Sequence, residues 1–330
     1  MAKILILGAG SMGTAFSFPC SDNNHSVFVI GTHLENDFID KINSKKRHPI
    51  LNCKTPRNVK FVRLEKLKEI IDKKIDLIVV AVVSKGIEWA SIKLSKVLKT
   101  NIPILILTKG LAINNNKYEI LPYKMNRLLK KNGIKKTNIS VAGGPCLAKG
   151  LVNKVHTSVV FANKNVKIAK KISKLVSTKY YHVSYSNDVV GVALCSAIKN
   201  IFSMAVGSSN HLNEAASLIQ QSVYEMIIFV EKLKGKKQTV IGLAGIGDLY
   251  VSACGGRNSK MGEYLGQGMT FRKAKKKKMP RDTVEGADLA LEIGLKIKRD
   301  FNNKKLPLMI SMINSICKNS ILKVDWKYFK

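Results

Sequence analysis

The sequence predicts an α/β chain with an N-terminal Rossmann-type doubly wound sheet and an all-helical C-terminal domain. The first half alternates short apolar runs with amphipathic segments, which is the pattern of parallel strands joined by crossover helices. From about residue 186 the pattern changes to long helical runs with few strand signals. A length of 330 residues also exceeds what one compact core usually holds. We therefore expect two domains, 1–185 and 186–330.

The predicted strands are short runs rich in β-branched residues and leucine. In chain order they are Lys3–Leu7, Ser26–Ile30, Val59–Val62, Leu77–Val82, Ile104–Leu107, Ile139–Ala142, Ser158–Ala162 and Tyr181–Ser184. The segments Ile87–Leu98 and Ile120–Lys131 are predicted to be crossover helices. Ligands of such sheets bind at the carboxyl ends of the strands, so the residues that follow each strand are the first candidates for a site.

The first predicted strand leads directly into a glycine-rich turn. In this G-x-G-x-x-G pattern the first glycine permits the tight turn, the second lets the backbone approach a pyrophosphate, and the third lets the next helix pack on the strand. The helix that begins here would direct its N–H groups at the phosphates. A second strand follows the helix, as such a site requires. The sequence therefore predicts a dinucleotide site formed by Gly8, Gly10, Ser11, Met12 and Gly13.

The second strand ends without the acidic residue that usually binds the ribose of NAD. Ile30 is followed by Gly31, Thr32 and His33, and Glu35 comes late. Thr32 and His33 are therefore the candidates for contact with the coenzyme, and His33 or nearby lysines would suit the 2′-phosphate of NADP. The preference between NAD and NADP stays open.

Composition limits the other classes of function. The formal net charge of +34 suggests a nucleic-acid partner, but lysine is spread along the whole chain and no nucleic-acid recognition motif is present. The densest basic run, 272–278, is predicted to be a solvated helix face or loop, and the charge equally suits an anionic substrate.

Cysteine spacing and hydropathy add further expectations. The six cysteines have no spacing typical of a metal site or a disulfide framework, so we expect reduced, mostly buried thiols and no metal. No apolar stretch approaches the roughly 20 residues that span a bilayer, and the first residues lack a signal-peptide pattern. A cytoplasmic protein without membrane insertion is expected.

One helix of the second domain carries an unusual polar pair. The segment 188–207 is apolar on nearly all sides, yet it contains Lys199 and Asn200 near its middle. Burying an ammonium is costly unless it is paired or used in the chemistry. Asp248, which follows a glycine-rich segment, is a candidate partner, and the planar guanidinium of Arg257 suits a phosphate.

Several motifs occur together in one known family. They are GAGSMGTA at 8–15, TKGL at 108–111, GPCLA at 144–148, DVVGV at 188–192 with AIKN at 197–200, GLAGIGDL at 242–249, RN at 257–258 and VEG at 284–286. This ordered set resembles the NAD(P)-dependent glycerol-3-phosphate dehydrogenases over nearly the whole chain. Each motif is weak or moderate alone, so the order carries the resemblance.

The resemblance implies reversible hydride transfer between NAD(P)H and dihydroxyacetone phosphate, giving sn-glycerol 3-phosphate for glycerophospholipid synthesis. It implies that Lys199 is the general acid and that Lys109 and Asp248 complete its polar network. The other residues that it places at the substrate are Gly144, Cys146, Arg257 and Asn258. Those that it adds at the coenzyme are Lys109, Ala148, Arg257 and Glu285. A homodimer is the family expectation.

The chain departs from the family pattern at several positions. Met12, Leu147 and Gly150 replace a Trp, a Phe and a Glu, which are changes in packing. Cys146 and Gly256 replace hydroxyl residues near the substrate. A sister reductase of another phosphorylated or acidic ketone, such as a ketopantoate- or hydroxyacid-type enzyme, therefore remains an alternative. A basic nucleic-acid-binding protein is a more distant one.

Overall fold

The computed structural model describes residues 1–99, 101–302 and 304–330. The chain packs as two compact units. Unit 1 consists of Met1–Lys109, Leu121–Ala142 and Cys146–Val189, and unit 2 of Gly110–Ile120, Gly143–Pro145 and Val190–Lys330. The sequence division at residue 185 assigns 110–120 and 143–145 to the first domain, whereas their packing groups them with the helical unit.

The strands form one large sheet and two short hairpins. In chain order they are β1 (Lys3–Leu7), β2 (Ser26–Ile30), β3 (Arg47–His48), β4 (Cys53–Lys54), β5 (Val59–Val62), β6 (Leu77–Val80), β7 (Pro103–Ile106), β8 (Leu111–Asn114), β9 (Lys117–Ile120), β10 (Asn138–Gly143), β11 (Thr157–Ala162) and β12 (Tyr181–Ser186). The large sheet has the order β12-β11-β10-β7-β6-β1-β2-β5. The β1 strand pairs in parallel with β2 and with β6, as a doubly wound sheet requires.

Most helices of unit 1 cover the two faces of this sheet. Its helices are α1 (Ser11–Asp22), α2 (Asn36–Lys45), α3 (Leu67–Ile71), α4 (Ile87–Ser95), α5 (Leu121–Lys131), α6 (Ala148–Val152) and α7 (Val166–Val176). Along β1, Ile4 and Ile6 pack into a core with α1 and α7, while Leu5 and Leu7 pack into a second core with α4 and α5. Both faces of β1 are thus buried, which explains its uninterrupted apolar sequence.

The sequence located the sheet well and missed the hairpins. The bounds of β1, β2 and β5 are those predicted, whereas β6 ends at Val80 rather than Val82. The hairpin β8–β9 was not predicted, although Asn115 and Asn116 form its turn with positive φ angles of 47° and 57°. Two successive residues of positive φ are the requirement of a type I′ hairpin turn, and asparagine tolerates this conformation well.

Unit 2 contains the remaining helices. They are α8 (Val189–Gly207), α9 (Leu212–Lys232), α10 (Lys237–Val240), α11 (Asp248–Ala253), α12 (Arg257–Gly266), α13 (Phe271–Lys278), α14 (Glu285–Asp300) and α15 (Pro307–Cys317). By length and apolarity α8 would be able to span a membrane, but 94% of its most apolar window is buried in the protein. The buried surroundings identify α8 as the core helix of this unit.

Glycines let neighbouring helices approach α8 closely. A Cβ atom on Gly262 of α12 would overlap the carbonyl oxygen of Met204, and one on Gly286 of α14 would overlap that of Asn200. Both positions therefore need glycine for packing alone. The close approach brings the first residues of α12 and α14 to the segment of α8 that carries the polar pair.

A buried carboxylate holds the start of α15. Glu225 on α9 is fully buried and accepts hydrogen bonds from the backbone N–H groups of Leu308 at 2.7 Å and Met309 at 2.8 Å, and from the Gln221 amide at 2.9 Å. It thereby caps a helix N-terminus, where backbone N–H groups lack intrahelical partners. Burial raises the pKa of Glu225 to about 7.

We expect Glu225 to make stability depend on pH. Its pKa is higher in the folded than in the unfolded chain, so its contribution is fully present below the ordinary pKa of 4.5 and is lost as pH rises through about 7. The free energy of unfolding of the wild type, measured by denaturant titration relative to Glu225→Gln, should fall by about 3 kcal/mol between pH 4.5 and 7.5. A difference that does not change with pH would show that the carboxylate does not titrate in this range.

Candidate active site

The three glycines of the turn after β1 have different roles. Gly8 adopts a positive φ, Gly13 allows close packing, and Gly10 leaves open space above the turn. Gly8 has a φ of +113°, and a Cβ atom there would lie 2.7 Å from the Ala81 carbonyl oxygen. A Cβ atom on Gly13 would overlap the carbonyl oxygen of Gly8. At Gly10 the nearest atom to a Cβ is an oxygen of Glu35, 4.0 Å away. The turn therefore has an open surface above its second glycine.

The start of α1 supplies the donors of this surface. Gly10 is the N-cap residue, and no side chain caps the helix. The backbone N–H groups of Ser11, Met12 and Gly13 form the first turn, where the helix dipole favours an anion. The open space and the uncapped turn fit the pyrophosphate of a dinucleotide coenzyme.

The backbone of Ala9 is held by three side chains. Its carbonyl oxygen accepts from the Thr14 hydroxyl at 3.0 Å and lies 3.3 Å from Nε2 of His48, while its N–H donates to Glu35. The His48 Nδ1 accepts from the N–H of Leu51, so Nε2 carries the proton and donates to Ala9. Burial lowers the pKa of His48, which favours this neutral form. Sequence reasoning missed His48 because the β3–β4 hairpin that carries it was not predicted.

Glu35 lies closer to the site than its position in the sequence suggests. Its Oε2 accepts from the N–H of Thr32 at 2.7 Å and from the N–H of Ala9 at 3.3 Å. Thr32 thus takes part through its backbone. His33, proposed for a 2′-phosphate, is exposed and its ring lies against Trp89, with centroids 5.3 Å apart.

Two exposed apolar side chains follow the strands that flank β1. Leu34, after β2, is 82% exposed, and Val83, after β6, is 70% exposed. Both lie at the carboxyl ends of their strands, where ligands of doubly wound sheets bind. Apolar surface at this edge suits a flat, largely apolar group such as adenine.

In unit 2, Lys199 is buried in a polar cluster. Its side chain is about 5% exposed, and Nζ donates to Oδ1 of Asp248 at 2.7 Å and to the hydroxyl of Ser252. Asp248 is the first residue of α11, and Ser252 lies one turn later on the same face. The sequence predicted Lys199 and Asp248 as partners, and the structure confirms the pair. It adds Ser252, which no sequence signal had singled out.

The glycine-rich segment before α11 explains how Asp248 reaches this position. Leu243–Gly247 forms a π-helical turn, and Asp248 follows it directly. A Cβ atom on Gly245 would overlap the carbonyl oxygen of Val240, so the turn can pack this closely only with glycine. Short π-helical turns are often found at functional sites.

A second network joins three helices. The Asn258 amide donates to Oδ1 of Asn200 at 3.1 Å and accepts from the N–H of Gly286 at 2.9 Å. The Asn258 side chain therefore holds α8, α12 and α14 together. Its implied contact with a substrate phosphate stays a prediction.

Arg257 and Glu285 form an ion pair at the surface of unit 2. The Arg257 side chain is 54% exposed and donates to the Glu285 carboxylate. The sequence assigned both residues to ligand binding, and the structure brings them together. An exposed guanidinium at the start of α12 is accessible to a phosphate.

The remaining residues predicted to contact substrate or coenzyme lie in different surroundings. Lys109 is partly buried beyond the end of β7, next to Thr108, whose hydroxyl donates to the Val82 carbonyl at 2.6 Å. Cys146 and Ala148 pack against the core of unit 1. Gly144, in unit 2, has a φ of +119°. Their contacts with substrate or coenzyme stay predictions.

The basic run and the cysteines have simple structural roles. The run 272–278 lies in the helix α13, where Lys275 donates to the carbonyls of Met279 and Pro280 and most of its neighbours are exposed. The six cysteines form no disulfide bond, as expected, but fewer are buried than expected: Cys20 and Cys195 are buried, whereas Cys254 is exposed. Over the ranges 1–99, 101–302 and 304–330, no three His, Cys, Asp or Glu side chains converge as metal ligands.

Comparisons with known proteins identify one family over both halves of the chain. Residues 3–169 match the family model for the N-terminus of NAD-dependent glycerol-3-phosphate dehydrogenase, and 188–324 match the model for its C-terminus. The chain is 29% identical to the NADP(+)-dependent glycerol-3-phosphate dehydrogenase of Archaeoglobus fulgidus, covering 90% of this chain and 91% of that protein. It is 30% identical to glycerol-3-phosphate dehydrogenase [NAD(P)+] of Clostridium botulinum, covering 94% and 90%.

A solved structure shows the same fold. The glycerol-3-phosphate dehydrogenase of Coxiella burnetii superposes with a TM-score of 0.82 at 23% identity, covering 97% of this chain and 96% of that one. The predicted fold class, a Rossmann-type domain with a helical second part, is thereby confirmed.

We expect Asp248→Asn to destabilise the protein strongly. The change leaves the ammonium of Lys199 buried without its carboxylate, and breaking a buried pair by removing one partner costs about 3–5 kcal/mol. Urea titration measures this loss. The exposed pair of Asp325 and Lys327 supplies the control, because Asp325→Asn should cost less than about 1 kcal/mol.

The double variant Lys199→Met with Asp248→Leu separates the effect of the charge pair on stability from the effect of side-chain packing. It removes both charges and should recover most of the stability lost in Asp248→Asn. Equal losses in Asp248→Asn and Asp325→Asn would contradict a buried charge pair.

Proposed function

The chain belongs to the NAD-dependent glycerol-3-phosphate dehydrogenase family, and from this premise we propose that it catalyses reversible hydride transfer between NAD(P)H and dihydroxyacetone phosphate, giving sn-glycerol 3-phosphate. The observation that carries the proposal is the ammonium of Lys199, buried in an apolar helix and held by Asp248 and Ser252. Burying an ammonium costs free energy, and a role in proton transfer explains why Lys199 is buried here.

Lys199 supplies the acid–base chemistry. The coenzyme, when bound, supplies or accepts the hydride at the central carbon. Reduction of the ketone builds negative charge on its oxygen, which the Lys199 ammonium stabilises and then protonates. In the reverse direction the neutral amine takes the proton from the hydroxyl. Asp248 holds Nζ in position throughout, because its Oδ1 lies 2.7 Å away.

Arg257 supplies the main charge for the substrate phosphate. Cys146 and Gly256 stand where the family has hydroxyl residues, so this chain lacks two hydroxyl side chains that could hydrogen-bond to the substrate. The guanidinium therefore carries a larger share of phosphate binding. In the structure it pairs with Glu285, and a phosphate dianion would compete with that carboxylate for it.

Coenzyme binding is the task of unit 1. The turn at Gly8, Gly10 and Gly13 and the first turn of α1 fit a pyrophosphate, which suits either NAD or NADP. We place the reaction in the cytoplasm, where its product would serve glycerophospholipid synthesis, and propose a homodimer by family analogy.

Dihydroxyacetone phosphate should be a far better substrate than dihydroxyacetone. Binding energy from the phosphate is used at the reacting carbon, so kcat/KM should differ by at least about a hundredfold, close to 2.7 kcal/mol. Coenzyme oxidation at 340 nm measures both. Equal values for the two ketones would contradict the assignment, and a faster reaction with a different phosphorylated or acidic ketone would favour a sister reductase.

Arg257→Met should weaken the use of the phosphorylated ketone specifically. A hydrogen bond to a charged group contributes about 1.5–3 kcal/mol, so kcat/KM for dihydroxyacetone phosphate should fall by roughly 10- to 150-fold while that for dihydroxyacetone barely changes. Lys260→Met is the matched control, since Lys260 is an exposed cation on the same helix. Equal effects of the two variants would remove Arg257 from phosphate binding.

A further inference from the structure

We propose that Glu35 is the carboxylate that receives the adenosine ribose of the coenzyme, and that it selects NAD over NADP. The inference rests on the proposed function, since it concerns the coenzyme of that reaction. The three residues after β2 are Gly31, Thr32 and His33. None of them is acidic, so the sequence alone does not indicate whether NAD or NADP is preferred.

The Glu35 side chain points away from its own helix. Glu35 is the N-cap residue of α2, yet it makes no capping hydrogen bond there. Instead its carboxylate turns back, and Oε2 accepts from the N–H of Thr32 at 2.7 Å and from the N–H of Ala9 at 3.3 Å. One carboxylate thus joins the glycine-rich turn after β1 to the loop after β2. Two backbone donors fix its position before any ligand binds.

This position is the one that a ribose carboxylate needs. In doubly wound sheets the acid that binds the ribose hydroxyls lies about 20 residues beyond the glycine fingerprint, beside the turn that holds the pyrophosphate. Glu35 lies at roughly that distance along the chain beyond Gly13. Its Oε1 is the atom nearest the open space above Gly10, 4.0 Å from where a Cβ would stand. A carboxylate oxygen here can accept hydrogen bonds from the ribose hydroxyls.

The same carboxylate opposes a 2′-phosphate. Like charges placed side by side cost several kcal/mol, and backbone hydrogen bonds hold Glu35 in place. Two arginines and a histidine of this region have other partners in the structure. Arg47 donates to the side chain and carbonyl of Asn52, and Arg63 pairs with Asp40. The ring of His33 lies against Trp89.

Calorimetric titration of the intact protein with NAD and NADP, without substrate, tests the proposal. The wild type should bind NAD at least about 30-fold more tightly than NADP, which corresponds to about 2 kcal/mol. In Glu35→Gln the affinity for NAD should fall and that for NADP should rise, so that the ratio approaches one. Asp37→Asn is the matched control, because Asp37 is an exposed acid on α2, and it should change neither affinity by more than about twofold.

The outcomes separate this inference from the proposed function. Wild-type binding of NADP as tight as that of NAD, or binding of neither coenzyme, would overturn it, and so would an equal loss of both affinities in Glu35→Gln. The dihydroxyacetone phosphate assay is independent of these titrations. Selective NAD binding without reduction of that ketone would refute the proposed substrate and leave the role of Glu35 standing.

Discussion

The buried ion pair of Lys199 and Asp248 is the interaction on which unit 2 depends. An ammonium in the middle of an apolar core helix requires a charged partner, and the partner must come from another element. The glycine-rich π-helical turn delivers Asp248, and the following turn of α11 delivers Ser252. Glycine at positions 245, 262 and 286 lets the surrounding backbone pack closely.

In unit 1 the corresponding feature is a set of backbone N–H groups and not a pair of side chains. The turn between β1 and α1 exposes N–H groups at a helix N-terminus, and its own packing fixes its shape. Thr14 and His48 hold the carbonyl of Ala9, and Glu35 holds its N–H. The surface proposed to bind the pyrophosphate is therefore preorganised, so that binding there would need little reordering of it.

The sequence predicted what depends on local pattern. The apolar runs located the strands, since β1 buries both faces, and the polar pair in an apolar helix pointed to Lys199 together with Asp248. The sequence pattern could not predict contacts in which a side chain reaches an element distant from it along the chain. Glu35 follows the strand by several residues, yet its carboxylate returns to the turn. Asn258 was predicted to contact the substrate phosphate, and no sequence signal indicated that its amide also joins three helices.

The turnover of Lys199→Ala shows whether the Lys199 ammonium is the proton donor of the reaction. The variant should lose stability as Asp248→Asn does but stay folded under assay conditions. With dihydroxyacetone phosphate and saturating coenzyme, it should bind coenzyme as the wild type does and lose about 10²–10⁴-fold in single-turnover rate. Added ethylamine, which supplies an ammonium to the vacated space, should restore part of that rate. A folded variant whose rate lies within about fivefold of the wild type would contradict the account.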